Sequence, residues 1–199
     1  MSTVARIGTT FETRRLIDTD TRAAAIALHT VWGQTLGAVT AASALRDLED
    51  FLRLIERSLV VKLLAYDDAE LVGVSFLTND LEMVPGISAD FFRARYPVEA
   101  AASTLFYAIS GVAHPTRPGI LDGLRRRAVT EAHHRHAEVL VWDAPTLQRD
   151  AAHRTTIEAV EAIARTRVEP MELDRVSYMA VELPKGEVGQ VIDLRTRND

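Results

Sequence analysis

Apolar and polar positions change rhythm along the chain, and each rhythm predicts an element. Thr10 to Ile17 alternates, as a half-buried strand does. Asp18, Thr19 and Asp20 then stand as N-cap candidates for a helix reaching about Gly33, with Ala24, Ile26, Ala27 and Val31 on its apolar face. Residues 41–57 place Leu45, Leu48, Leu52 and Ile55 at helical spacing. Leu59 to Tyr66 and Glu70 to Thr78 are nearly continuous apolar runs around Asp67-Asp68-Ala69, which predicts a tight β-hairpin covered on both faces. Asn79 to Pro97 reads as a loop enclosing a short helix from Ser88 to Arg95, with Ser88 or Asp90 near its start. Its Phe91, Phe92 and Tyr96 either line a pocket wall or pin that helix to the core.

Thr104 to Ala113 predicts a strand, stopped by the turn His114-Pro115-Thr116-Arg117-Pro118-Gly119. A helix follows from about Ile120 to His136, then a buried strand from Ala137 to Trp142, closed by Asp143-Ala144-Pro145. Thr146 to Arg165 is helical, with Ile157, Val160, Ile163 and Ala164 as its apolar face. Two strands, Arg167 to Leu173 and Val176 to Leu183, complete the pattern, and the latter is a candidate exposed edge that could support a homodimer. The strand–helix–strand unit at 104–142 implies one parallel pair inside a mostly antiparallel sheet.

Composition narrows the function. A chain of 199 residues suits one domain over 1–183, with 184–199 as a polar tail. Without cysteine there is no disulfide, thiolate metal site or Cys nucleophile. A net charge of −5 argues against a nucleic-acid binder. No apolar run reaches the roughly 18 residues of a membrane span, and Met1 to Thr10 lacks the pattern of a signal peptide. The expectation is a cytoplasmic protein with a small-molecule or peptide partner.

His133, His134, His136 and His153 suggest a metal cluster at first sight. His133 and His136 share a helix face, but no HExxH-like spacing supplies further ligands, so a solvated helix end is the simpler reading and no metal is expected. Arg125-Arg126-Arg127 is either a solvated face or a contact for a nucleotide 3′-phosphate. No GxSxG, Walker or dinucleotide-binding pattern is present.

The order β-α-α-β-β-loop-β-α-β-α-β-β resembles the GNAT superfamily of N-acetyltransferases over residues 10–183. Val31-Trp32-Gly33, the hairpin bearing Leu71-Val72-Gly73-Val74, and Gly111-Val112-Ala113-His114-Pro115 carry the local likeness. The resemblance implies an α/β (α+β) fold: a mixed, mostly antiparallel central sheet with a splayed parallel pair and helices on both faces. It implies acetyl-CoA as acyl donor, its pantetheine arm on the strand backbone from Ser110 to Ala113 and its pyrophosphate at the next helix start. The implied binding set is Val112, Ala113, Arg117, Gly119, Ile120, Leu121 and Gly123. The family's loop pattern (Arg or Gln, two residues, Gly, one residue, Gly or Ala) departs here. Counted from Arg117, its small-residue positions fall on Ile120 and Asp122, and only a loop two residues shorter brings Gly119 into the cradle.

Many relatives carry a carboxylate base on the fourth strand and a tyrosine on the helix after the fifth. Thr104 to Ala113 has no carboxylate and Ala144 to Arg165 no tyrosine. His114 is the candidate base, with a pKa class suited to proton transfer, or simply the start of a turn. Tyr107 and Tyr178 are the other tyrosines in play, Tyr178 being the candidate acid. Two functions follow: an acyl-CoA-dependent N-acyltransferase acting on a small-molecule or peptide amine, or a non-catalytic interaction module.

Overall fold

The computed structural model describes residues 8–36, 45, 47–143, 149–173 and 178–182. The proposed 184–199 tail lies outside them. Among the described residues one mixed sheet runs in the order β1-β2-β3-β4-β5-β7-β6. Its strands are β1 (Thr10–Arg14), β2 (Val61–Asp67), β3 (Glu70–Thr78), β4 (Leu105–Ala113), β5 (Val139–Asp143), β6 (Met171–Glu172) and β7 (Tyr178–Glu182). Only β4 and β5 pair in parallel. The sequence expectation for fold class therefore holds, including the hairpin, whose turn residues Asp68 and Ala69 take φ of 48° and 70°. Positive φ at both positions matches the twist of the flanking strands. The C-terminal edge differs from expectation: β7 is paired on both sides, and the short β6 is the edge strand.

Period-two alternation sends side chains to two cores. Leu105, Tyr107, Ile109, Val139 and Val141 enter one core with α1 (Thr19–Leu36), α2 (Leu48–Glu56) and α3 (Ala89–Arg95). Phe106, Leu140 and Trp142 enter the other, beneath α5 (Ile120–His134) and α6 (Arg149–Ala164). Helices thus cover both faces, as the doubly apolar strands require. Tyr107, one of the tyrosines in play, is a core residue, edge-on to Phe92 at 5.9 Å.

Three local expectations are corrected. In α1 the buried face is Ala25, Leu28, His29 and Trp32, whereas Ala24, Ala27 and Val31 are exposed. His29 selects that face, since its Nε2 lies 2.7 Å from the Leu45 carbonyl and its ring stacks 4.6 Å from Phe51. In α2 the core residues are Phe51, Leu54 and Ile55, and Leu48 is exposed. Between α3 and β4 a further helix, α4 (Pro97–Ala101), begins at Pro97, a residue that suits a first helical position because its missing N–H is not needed there. Ser88 caps α3 as expected, accepting from the Phe91 amide.

Lys62 interrupts apolar β2 and is fully buried. Its ammonium donates to the carbonyls of Arg15 (2.7 Å), Val60 (3.0 Å) and Arg57. Burial lowers its pKa from 10.5 to about 8. Between those values the unfolded chain binds more protons, so this group makes stability rise with pH across that window. Lys62→Met leaves three carbonyls without their donor and is expected to cost about 1–3 kcal/mol at pH 7. Urea denaturation from pH 7 to 10 checks it, and the deficit of the variant should widen above pH 8.

Candidate functional site

The parallel pair opens where β5 stops. Register holds from Leu105↔Val139 to Ala108↔Trp142, after which β4 continues to Ala113 beside β3 alone. Here β4 carries a bulge: Val74 faces Val112 and Phe76 faces Ile109, leaving Ser110 and Gly111 together opposite Ser75. A bulge re-aims backbone groups that a regular ladder would consume. Gly111 is required by the close approach, because a Cβ there would sit 2.5 Å from the Val74 carbonyl oxygen and 2.9 Å from the Ser75 Cβ.

Against this opening lies a cleft between β4, β5, α5 and α6. Leu121, Leu124, Ala128, Leu140 and Trp142 make most of it apolar, while Ser110, Arg125 and Asp143 bring polar groups into it. Apolar walls with a few convergent polar groups are the usual make-up of a small-molecule site.

Asp143, the last residue of β5, is the group that the sequence reading passed over. Its Oδ1 accepts from the Ser110 amide at 3.2 Å, and its own carbonyl accepts from the Ser110 hydroxyl at 3.2 Å. These bonds bridge the opening strands. Protein atoms crowd the carboxylate, and this burial raises its pKa above the usual range, although the Ser110 amide and hydroxyl and the charge of Arg125 pull the other way. A carboxyl group whose proton affinity is raised at a backbone bulge is equipped to take a proton.

The residues expected at the site separate into two groups. Leu121 lines the cleft, and Gly119 is the N-cap of α5 with φ 82°, a left-handed conformation that glycine adopts freely. No side chain caps this helix. Ile120 is buried instead, its Cγ2 standing where a Cβ on Gly73 would be 2.4 Å away. Gly123 is dictated by packing, since a Cβ there would lie 2.1 Å from the Phe11 ring. Val112 and Ala113 are buried in opposite cores, in register with Val74 and Gly73. Arg117 turns to the hairpin, pairing with Asp67 at 2.9 Å and Glu70 at 3.9 Å. His114 is outside the cleft lining and its Nδ1 lies 3.0 Å from the Thr116 hydroxyl. Tyr178 is the β7 residue in register with Asp143. Of the arginine run only Arg125 reaches the cleft. Arg126 pairs with Glu158 at 3.2 Å, and Arg127 donates to the Thr13 hydroxyl at 2.8 Å.

No protein-family model and no curated protein matches the chain. Solved structures do. The GNAT domain of S. lividans PAT matches with a TM-score of 0.57 at 9% identity, covering 87% of this chain and 89% of that one. The yncA protein of Salmonella typhimurium, solved with its cofactor acetyl-CoA, gives 0.53 at 18% identity over 93% and 99% of the two chains. The paia N-acetyltransferase of Thermoplasma acidophilum, in complex with coenzyme A, gives 0.52 at 12% identity over 88% and 99%. The chain therefore has the GNAT fold. No helix among the described residues is long and apolar enough to cross a membrane.

Proposed function

We propose that the protein is an N-acyltransferase that moves an acyl group from an acyl-CoA-type thioester to an amine of a small molecule or peptide. One observation carries this reading: the bulge amide of Ser110 and the carboxylate of Asp143 meet at the opening between β4 and β5, inside an apolar cleft. A thioester carbonyl placed there can take the Ser110 N–H in exchange for Asp143, which polarises the carbonyl and releases the carboxylate. The amine nitrogen then bonds to the carbonyl carbon and the C–S bond breaks. Asp143 accepts the proton that nitrogen loses, and the leaving sulfur takes up one proton, for which Tyr178 beside Asp143 in the register is the candidate donor. Asp143 fills the role expected of His114 because it lines the cleft. Most of the rate would come from holding amine and thioester together in this slot.

The same Asp143–Ser110 bond also favours the alternative of a non-catalytic module, in which the opening stays permanently closed by its own side chain. Free-thiol release from millimolar acetyl-CoA, measured across a panel of primary amines, separates the two. The proposal expects amine-dependent release, accompanied by a melting shift of about 5–10 °C if the donor reaches about 100 times its dissociation constant. Thiol release no faster than spontaneous hydrolysis with every amine would leave the module reading standing.

A further inference from the structure

The cleft and the start of α5 differ in chemistry. The cleft is apolar and suits an uncharged arm, with Leu121, Leu124, Ala128 and Leu140 along it. The helix start already holds an anion. Asp122, in the first turn of α5, accepts from Arg125 at 2.9 Å and from Thr155 of α6 at 3.3 Å. A carboxylate in a first helical turn interacts favourably with the positive end of the helix and puts a negative charge where a bound phosphate would sit. The cations nearby are committed: Arg117 to Asp67 and Glu70, Arg126 to Glu158. Pro118 has no N–H to offer. Gly123, which a diphosphate cradle would use for close approach, makes room for Phe11 instead.

The coenzyme A of the fold therefore fits in one half and not in the other. Resting on the acyltransferase reading above, we infer that the protein recognises its donor by the acyl-pantetheine arm alone, and that Asp122 excludes a nucleotide diphosphate from the start of α5. A diphosphate on the arm adds nothing to recognition, so acyl thioesters with and without it are donors of equal standing. Coenzyme A thioesters serve only through their acyl-pantetheine arm.

The test compares S-acetylpantetheine with acetyl-CoA on one amine acceptor, by kcat/KM, in the wild-type protein and in Asp122→Asn. The Asn side chain keeps an oxygen for Arg125 and Thr155 while removing the charge. In the wild type the two donors should agree within about threefold, and ADP should not compete with either, since the Asp122 carboxylate keeps a diphosphate off the helix start. Removing the like charge in Asp122→Asn should raise acetyl-CoA by about tenfold and leave acetylpantetheine as it was. A wild-type preference for acetyl-CoA of about tenfold or more, a full 1.4 kcal/mol of nucleotide recognition, overturns the inference. Competition by ADP in the wild type, or an equal response of both donors to Asp122→Asn, does so as well. If neither thioester supports transfer, the acyltransferase reading falls and this inference falls with it.

Discussion

Asp143→Asn should produce a protein that is slower by about 10²–10⁴-fold in turnover, the usual worth of a positioned base, yet melts higher at neutral pH. The two effects share one cause. Burial raises the Asp143 pKa, so the folded protein binds its proton more tightly than the unfolded chain does. With a raised folded pKa, the unfolded state loses the proton first as pH climbs, and stability from this group declines through the window above the ordinary aspartate value of 3.8. Asparagine does not titrate and still offers an oxygen to the Ser110 amide. At pH 7 the variant should therefore gain on the order of 2–4 °C, the size of a ~1 kcal/mol change in a domain of this length. Calorimetry of both proteins at pH 4 and pH 7 checks the first half, because the difference should shrink at the lower pH. The pH profile of kcat checks the second, since the acidic limb should vanish with the carboxylate. His114→Gln is the matched control, and a large loss there with none in Asp143→Asn would return the proton to the histidine. A gain in stability with unchanged turnover would reduce Asp143 to a clamp between two strands.

That Asp143 escaped the sequence reading has a physical reason. Its neighbours along the chain, Ala144 and Pro145, mark a strand end, and the residue reads there as punctuation. Its partner Ser110 comes close only through the parallel register and the point at which that register ends. A usable signal was present nonetheless: a carboxylate at the C-terminal end of a parallel strand, where open sheets gather ligands. The elements themselves were legible wherever one local force dominated. The hairpin at 61–78, the Ser88 cap and the β4–α5–β5 unit all follow from turn chemistry, capping and apolar runs. The α1 face was not legible, because Ala23 through Leu28 is apolar all round and only the contacts of His29 and Trp32 across the core choose a side. Gly123 misled for a related reason. A glycine required by an aromatic ring on β1 looks the same in sequence as one required by a phosphate.

Gly111→Ala is expected to remove donor binding as well as stability, and the two losses can be told apart. The added Cβ would meet backbone, the Val74 carbonyl oxygen at 2.5 Å and the Ser75 Cα at 3.2 Å, so no side-chain rotation relieves it. The strands must part or the bulge must flatten, at a cost of about 1–3 kcal/mol as for other overpacked sites. That corresponds to a fall of about 2–12 °C in the melting midpoint for a domain this size. Either rearrangement turns the Ser110 amide away from Asp143 and from the cleft, so an acetyl thioester should no longer raise the midpoint. Gly73→Ala supplies the comparison on the neighbouring strand. Its Cβ would meet the side-chain atoms Ile120 Cγ2 at 2.4 Å and Leu124 Cδ1 at 3.0 Å, together with the Ala65 Cβ at 3.3 Å. It should be destabilised to a similar degree and press on the cleft-lining Leu124, so the donor-induced shift should shrink but persist, because its contacts leave the bulge intact. If both variants keep the shift, the bulge is a packing solution between β3 and β4, and the amide that polarises the thioester must be sought elsewhere along the opening. If only Gly111→Ala loses it, the extra residue in β4 is what turns a sheet into a site.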